Sequence, residues 1–154
     1  MTRIDFYVIP EIRRDARERF ATRLAARAFR EGRRSVILVS DDATGVRLDE
    51  LLWNLPGAFL PHARLGAAET PAALPVTLGT AAELDAREQA GEAAHDLLIN
   101  LTDAVPAHFA SFDRVAEIVC QDDDVRAATR ESYRFYRERG YPLHHHDLAR
   151  ERSS

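Results

Sequence analysis

Four arginines and a tyrosine near the end of the chain are spaced like one face of a helix. Arg126, Arg130, Tyr133, Arg134 and Arg137 share an arc of about 100° when successive residues are placed about 100° apart. Guanidinium groups hold carboxylates in bidentate hydrogen bonds, and a ring among them offers an apolar surface. The pattern fits an acidic peptide ending in an aromatic residue, or single-stranded nucleic acid held by stacking and charge. The competing interpretation is a solvated face whose arginines pair with neighbouring glutamates.

A second candidate surface surrounds the single tryptophan. Trp53 lies about 140° from Leu48, off the apolar stripe of the helix expected over residues 43–54. With Phe59 and Pro61 it would form an exposed apolar patch of the kind that anchors protein interfaces. The alternative is that the ring folds over the following loop and packs there.

The other chemistry-bearing residues do not combine into a catalytic or metal site. Histidines 144–146 alternate faces if extended, so at most two imidazoles converge. Aspartates 122–124 precede a helix, where carboxylates cap free amides. The chain has no lysine, so it lacks both the P-loop lysine and a Schiff-base amine. We therefore expect no catalytic residue, no metal and no cofactor.

Charge and length restrict the function classes. The 154 residues carry a net charge of −4, yet residues 1–34 hold ten arginines against five acids. A duplex-binding domain usually has a dominant basic face and a high isoelectric point, so direct DNA binding is at most secondary. One cysteine excludes an internal disulfide. No apolar run has the roughly 18 residues of a membrane helix and no signal peptide is evident, so we expect a cytoplasmic protein.

Alternating strand and helix patterns must position these residues. Long apolar runs are typical of parallel strands buried on both faces. Strands are predicted at 4–9, 35–39, 96–101 and 114–119, and helices at about 11–31, 43–54 and 123–139. This order predicts a single-domain α/β fold, a Rossmann-like three-layer sandwich with a mostly parallel sheet and helices on both faces. We place the domain at 1–143, with a variable insert at about 64–95 and a loosely ordered tail at 144–154.

Five segments, in order along the chain, resemble one protein family. They are Phe6-Tyr7-Val8, Arg47-Leu48-Asp49-Glu50-Leu51-Leu52-Trp53, Phe59-Leu60-Pro61-His62, Asp96-Leu97-Leu98-Ile99-Asn100-Leu101 and the stretch from Arg130 to Leu143. Together they resemble the chi subunit of bacterial DNA polymerase III holoenzyme. The resemblance covers nearly the whole chain and weakens in residues 64–95.

The resemblance implies a non-catalytic clamp-loader accessory subunit at the replication fork, with a Rossmann-like fold. Chi binds the acidic, phenylalanine-terminated C-terminal tail of the single-stranded-DNA-binding protein and joins it to the polymerase complex, so DNA is contacted indirectly. The tail-binding residues carried over are Val119, Arg126, Arg130, Tyr133 and Arg134. The interface with the psi subunit, or with a helicase-like protein, carries over to Trp53, Phe59 and His62, and the apolar patch adds Pro61.

Two alternatives stay open at this point. A Rossmann-type nucleotide-binding protein or enzyme is disfavoured because no glycine follows the first strand until Gly32, so the phosphate-binding glycine loop is missing. A direct single-stranded-DNA binder would use the same arginines as the tail site. Binding of an oligonucleotide without any partner protein would distinguish it.

Overall fold

The computed structural model describes residues 1–57, 60–66, 74–92 and 95–149. Within these ranges the chain forms seven strands and four α-helices. In chain order they are β1 (Arg3–Val8), α1 (Ala16–Arg30), β2 (Ser35–Leu38), α2 (Asp42–Trp53), β3 (His62–Arg64), β4 (Val76–Gly79), α3 (Ala81–Gln89), β5 (Leu97–Asn100), β6 (Arg114–Val119), α4 (Asp123–Glu138) and β7 (Leu143–Asp147). A short 3-10 turn, Phe109–Ser111, precedes β6. None of the helices in this part of the chain is long and apolar enough to cross a membrane.

All seven strands lie parallel in one sheet, in the order β3-β4-β2-β5-β6-β1-β7. Every residue of β2, β4 and β5 is buried, as expected for parallel strands covered on both faces. The predicted α/β class with a mostly parallel sheet is therefore confirmed.

Neighbouring residues of β1 show that helices cover both faces of the sheet. Phe6 contacts Tyr133 of α4, with ring centroids 5.7 Å apart. Tyr7 contacts Phe20 of α1 at 5.4 Å. Because successive side chains of a strand point to opposite faces, α1 and α4 lie on opposite sides of the sheet. Helix α2 packs beside α1.

Aspartates cap two helices, and the sequence predicted this for the helix that follows residues 122–124. The Asp41 side chain accepts a hydrogen bond of 2.8 Å from the backbone N–H of Thr44 at the start of α2. Asp122 accepts from the backbone N–H groups of Asp124 and Val125, at 3.0 and 3.1 Å, at the start of α4. These bonds satisfy amides that have no partner inside the helix.

Helix α1 begins at Ala16 rather than near residue 11. The backbone N–H of Gln121 donates to the carbonyl of Glu11 at 2.8 Å, and that of Ile9 donates to the carbonyl of Val119. These bonds keep the chain extended beyond β1, along the end of β6. The Ile12 side chain, near the predicted start of the helix, is 70% exposed.

Residues 144–147 form most of β7, whereas the sequence predicted a loosely ordered tail from residue 144. The strand pairs in parallel with β1, and His145 lies opposite Phe6. Two histidine rings stack on β1 side chains, His145 on Phe6 at 5.4 Å and His146 on Tyr7 at 4.5 Å. Ring stacking, rather than a run of aliphatic side chains, holds this edge strand in place. The sequence of β7 therefore lacks the β-branched and aliphatic pattern that usually predicts a strand. Residues 150–154 of the tail lie outside the described residues.

The predicted insert at about 64–95 contains regular structure. Residues Val76–Gly79 form strand β4, and the Ala- and acid-rich stretch that follows contains α3. Thr80 and Glu83 form a capping box that starts this helix. Residues 67–73, 93 and 94 of the insert lie outside the described residues.

A buried carboxylate ties β7 to the rest of the sheet. Asp5 on β1 has no exposed side-chain surface and receives hydrogen bonds from Arg3 at 3.0 Å and Arg114 at 3.1 Å. Nε2 of His146 lies 2.9 Å from its Oδ1 atom. Burial alone would raise the pKa of Asp5, but the His146 hydrogen bond and the charges of Arg114 and Arg3 outweigh it, so the pKa is lowered.

We predict that Asp5→Asn lowers the free energy of unfolding by about 2–3 kcal/mol at pH 7, because the charged partners lose the carboxylate charge and one of its two acceptor oxygens, and only partly rehydrate. The loss should shrink as the pH falls through the folded-state pKa of Asp5, since protonation then removes the same charge from the wild type. Urea unfolding of the variant and the wild type at pH 7 and below pH 4 measures this difference in stability. Asp113→Asn, on an exposed side chain, is the matched control. Equal stability of Asp5→Asn and the wild type at pH 7 would contradict the prediction.

Candidate functional site

A buried hydrogen-bond group orients α4 on the sheet. The hydroxyl of Tyr136 donates to Oε2 of Glu117 on β6 at 2.8 Å, and the Asn100 amide donates to Oε1 at 2.9 Å. All three residues are buried. Burial raises the pKa of Glu117 to about 7, although the hydrogen bonds from Tyr136 and Asn100 oppose the shift. Burial and Glu117 together raise the pKa of Tyr136.

The opposite edge of α4 forms one wall of a groove of about 510 Å³, which we call the α4 groove. Strands β1 and β6 supply its floor, and His145 of β7 lies across from the helix. The lining residues are Phe6, Val8, Val119, Thr129, Arg130, Tyr133, Arg134, Arg137 and His145. The groove thus combines an apolar base with three arginines along one side.

Three rings form an aromatic floor, made of Phe6, Tyr133 and His145. His145 stacks on Phe6 with an angle of 16° between the ring planes. Tyr133 lies 5.4 Å from His145 and 5.7 Å from Phe6 between centroids. These separations are typical of favourable ring pairs, and a further aromatic side chain can pack on the exposed part of this floor.

The groove arginines differ in their partners. Among the described residues, Arg130 makes no side-chain hydrogen bond or ion pair, and neither does Arg126 one turn earlier. Arg137 lies 6.0 Å from the centroid of Tyr133. Arg134 pairs with Glu131 at 3.1 Å. Pairing with neighbouring glutamates therefore accounts for Arg134 and leaves three arginines of the face, Arg126, Arg130 and Arg137, available to an external anion.

The structure brings together four of the five residues expected at the tail site. Val119, Arg130, Tyr133 and Arg134 line the α4 groove, whereas Arg126 lies outside its lining on the same helix face. Arg137 also lines the groove; it belongs to the arginine arc found from helix geometry, although the family resemblance did not add it to the tail site. Sequence reasoning missed four lining residues: Phe6, Val8, Thr129 and His145. No signal pointed to His145, because its strand was not foreseen.

The second surface has the tryptophan outside and a histidine beneath it. Trp53 is 59% exposed at the end of α2, and its ring meets His62 edge-on at 4.6 Å. The His62 side chain is fully buried, with Nδ1 2.7 Å from the carbonyl of Leu60 and Nε2 3.2 Å from Oδ1 of Asp49. Pro61 is half-buried, and Phe59 lies outside the described residues. His62 thus supports the indole rather than presenting its own ring to solvent.

Comparison with known proteins assigns the family. A family model described as "DNA polymerase III chi subunit, HolC" matches residues 1–144. The chain belongs to this family. A "DNA polymerase III subunit chi" from Pseudomonas aeruginosa is 44% identical over 151 residues, which cover 97% of this chain and 99% of the relative.

Two further members are more distant. The Haemophilus influenzae chi subunit is 30% identical over 90% of this chain and 92% of its own length. The Escherichia coli K12 chi subunit is 30% identical over 82% of each chain. Family membership makes the chain a chi subunit of DNA polymerase III, a replication accessory subunit and not a catalytic one. The expectation of a non-enzyme is thereby confirmed.

We predict that Glu117→Gln flattens the pH dependence of stability. The folded-state pKa of Glu117 lies above its unfolded value, so the stability it contributes is present at low pH and lost as the pH rises through about 7. The wild type should therefore lose about 2 kcal/mol relative to Glu117→Gln between pH 5 and pH 8. Denaturant unfolding across this range measures the difference. The control Glu138→Gln changes an exposed carboxylate at the end of α4 and should track the wild type. A pH-independent difference in stability between Glu117→Gln and the wild type would contradict the assignment.

Proposed function

We propose that the α4 groove binds the acidic, phenylalanine-terminated C-terminal tail of the single-stranded-DNA-binding protein, and that the chain thereby links this protein to the clamp-loader complex of DNA polymerase III. In this role it works in the cytoplasm at the replication fork, and DNA is contacted indirectly. The observation that carries the proposal is Arg130, a guanidinium without a partner in the described structure, beside an aromatic floor.

The tail and the groove are complementary in two respects. A terminal phenylalanine offers both a ring and a carboxylate, and the groove offers a floor of three rings beside Arg130 and Arg137. Acidic residues upstream of the phenylalanine would extend along α4 toward Arg126. Engagement of Arg134 requires exchange of its Glu131 partner, which is inexpensive because both side chains are exposed.

Tethering does not require tight binding at one site. A micromolar dissociation constant, or about −8 kcal/mol, suffices for a single tail. Several tails on one DNA-coated oligomer raise the effective affinity by avidity. Because the contacts are largely ionic and exposed, the affinity should fall as salt rises.

We predict that Arg130→Ala weakens tail binding by about tenfold or more, because a charged hydrogen bond contributes roughly 1.5–3 kcal/mol. Fluorescence anisotropy with a labelled acidic peptide ending in Ile-Pro-Phe measures it. Arg30→Ala is the matched control, since it removes the same charge from the exposed end of α1 on the other face of the sheet. The wild type should also lose affinity for a peptide without its final phenylalanine.

Three results would count against the tail site. They are absence of binding at low salt, equal binding by Arg130→Ala and Arg30→Ala, and an affinity that does not change with salt. Binding of an oligonucleotide by the chain alone, sensitive to Arg130→Ala, would instead favour the direct single-stranded-DNA alternative.

We also propose that the Trp53 surface is the interface for the psi subunit or a helicase-like protein, with Trp53, Phe59 and Pro61 as its contact residues and the buried His62 supporting the indole from beneath. Large exposed rings are the commonest interface anchors, and Trp53 is held in place by the buried His62 ring. This surface is at the end of α2, on the side of the sheet away from α4. One chain can therefore hold both partners at once.

We predict that Trp53→Ala weakens binding of the co-expressed psi subunit or helicase-like protein by about 30-fold or more, because anchor residues contribute roughly 2 kcal/mol or more. Tail-peptide affinity should stay unchanged. Surface plasmon resonance with immobilised partner measures the first effect and anisotropy the second. Ile12→Ala, another exposed apolar side chain, is the control. Full partner binding by Trp53→Ala would remove this surface from the proposal.

A further inference from the structure

A second cavity, of about 480 Å³, opens at the carboxyl edge of the sheet. It lies between the first turns of α1 and α2, on the face opposite the α4 groove. Its lining includes Arg14 and Arg17 beyond β1, Ser40 just beyond β2, and Leu101 beyond β5. Ligands of parallel α/β sheets bind at this edge, where helix N-termini converge.

Most charges around this cavity are already neutralised by neighbours. Arg13 pairs with Asp15 at 3.0 Å, and Arg47 pairs with Glu18 at 2.7 Å. Arg14 lies 3.5 Å from both Asp103 and Asp122. The Asp41 carboxylate accepts hydrogen bonds from the backbone N–H and the hydroxyl of Thr44.

Arg17 is the exception. The residue is only 8% exposed, and its single hydrogen bond within the described chain runs from Nε to the carbonyl of Arg14 at 3.4 Å. No described carboxylate lies within ion-pair distance of its guanidinium, although its charge favours the ionised form of Glu117 from farther away. A cation in the first turn of a helix opposes the helix dipole, and a buried charge without a partner is costly. An anion in the cavity would offset the unfavourable interaction with the helix dipole and would also pair with the buried charge.

We propose that this cavity binds a phosphate group, with Arg17 as its main cation. A guanidinium matches the geometry of phosphate oxygens, and the Ser40 hydroxyl at the rim has no hydrogen-bond partner among the described residues. The described lining contains no aromatic ring on which a base could stack. Recognition therefore depends on the phosphate itself, carried by a nucleic-acid backbone or by a small phosphorylated molecule.

The test is thermal unfolding of the full chain in chloride buffer, with sodium phosphate added at constant ionic strength. The wild type should gain about 3 °C in Tm at a phosphate concentration ten times the dissociation constant. Arg17→Met should lose this gain. The control Arg23→Met removes an exposed arginine of the same helix outside the cavity and should keep it. An absent gain in the wild type, or an equal gain in Arg17→Met, overturns the proposal.

A measurement on the wild type keeps the proposal testable if Arg17→Met fails to fold. In two-dimensional NMR spectra, phosphate should shift the Arg17 Nε–H signal and the Ser40 amide. Shifts confined to other arginines mean surface binding and overturn the proposal. A thymidine oligonucleotide and thymidine monophosphate are then titrated in parallel; stronger shifts with the oligonucleotide identify the nucleic-acid backbone as the source, and stronger shifts with the nucleotide identify a small ligand.

Discussion

The position of β1 between β6 and β7 is the constraint on which both faces of the molecule depend. Parallel pairing sets Phe6 opposite Glu117 on one side and His145 on the other. Side-chain alternation then sends Phe6 toward α4 and Tyr7 toward α1. A shift of one residue in this register would exchange the faces, placing the buried Asp5 carboxylate under α4 and dismantling the aromatic floor.

Much of the fold could be predicted because its strongest signals are local. The apolar run of β2 and that of β5 need no partner to be recognised, since a strand covered on both faces is apolar throughout. The arginine arc of α4 was visible for the same reason: helical geometry alone places Arg130, Tyr133 and Arg134 on one side. Four of the five expected tail-site residues consequently line one groove.

What sequence reasoning missed depends on contacts between distant residues. β7 consists largely of histidines, and it forms a strand because His146 meets Asp5 and Tyr7 about 140 residues earlier in the chain. The start of α1 was misplaced because a hydrogen bond from Gln121 holds Glu11 in extended backbone. Neither contact leaves a periodic trace in its own segment, so the far wall of the α4 groove could not be foreseen.

The distribution of unpaired arginines connects the fold to its partners. The chain has more acids than arginines, 25 against 21, so a shortage of carboxylates does not explain why Arg130 and Arg17 lack ion pairs in the described structure. The two arginines differ in their surroundings: Arg130 is exposed and hydrated, so its attraction for an external carboxylate is sensitive to salt. Arg17 is nearly buried, so its ligand would also relieve a desolvated charge. A weak, exchangeable peptide suits the first environment, and a compact anion such as phosphate suits the second.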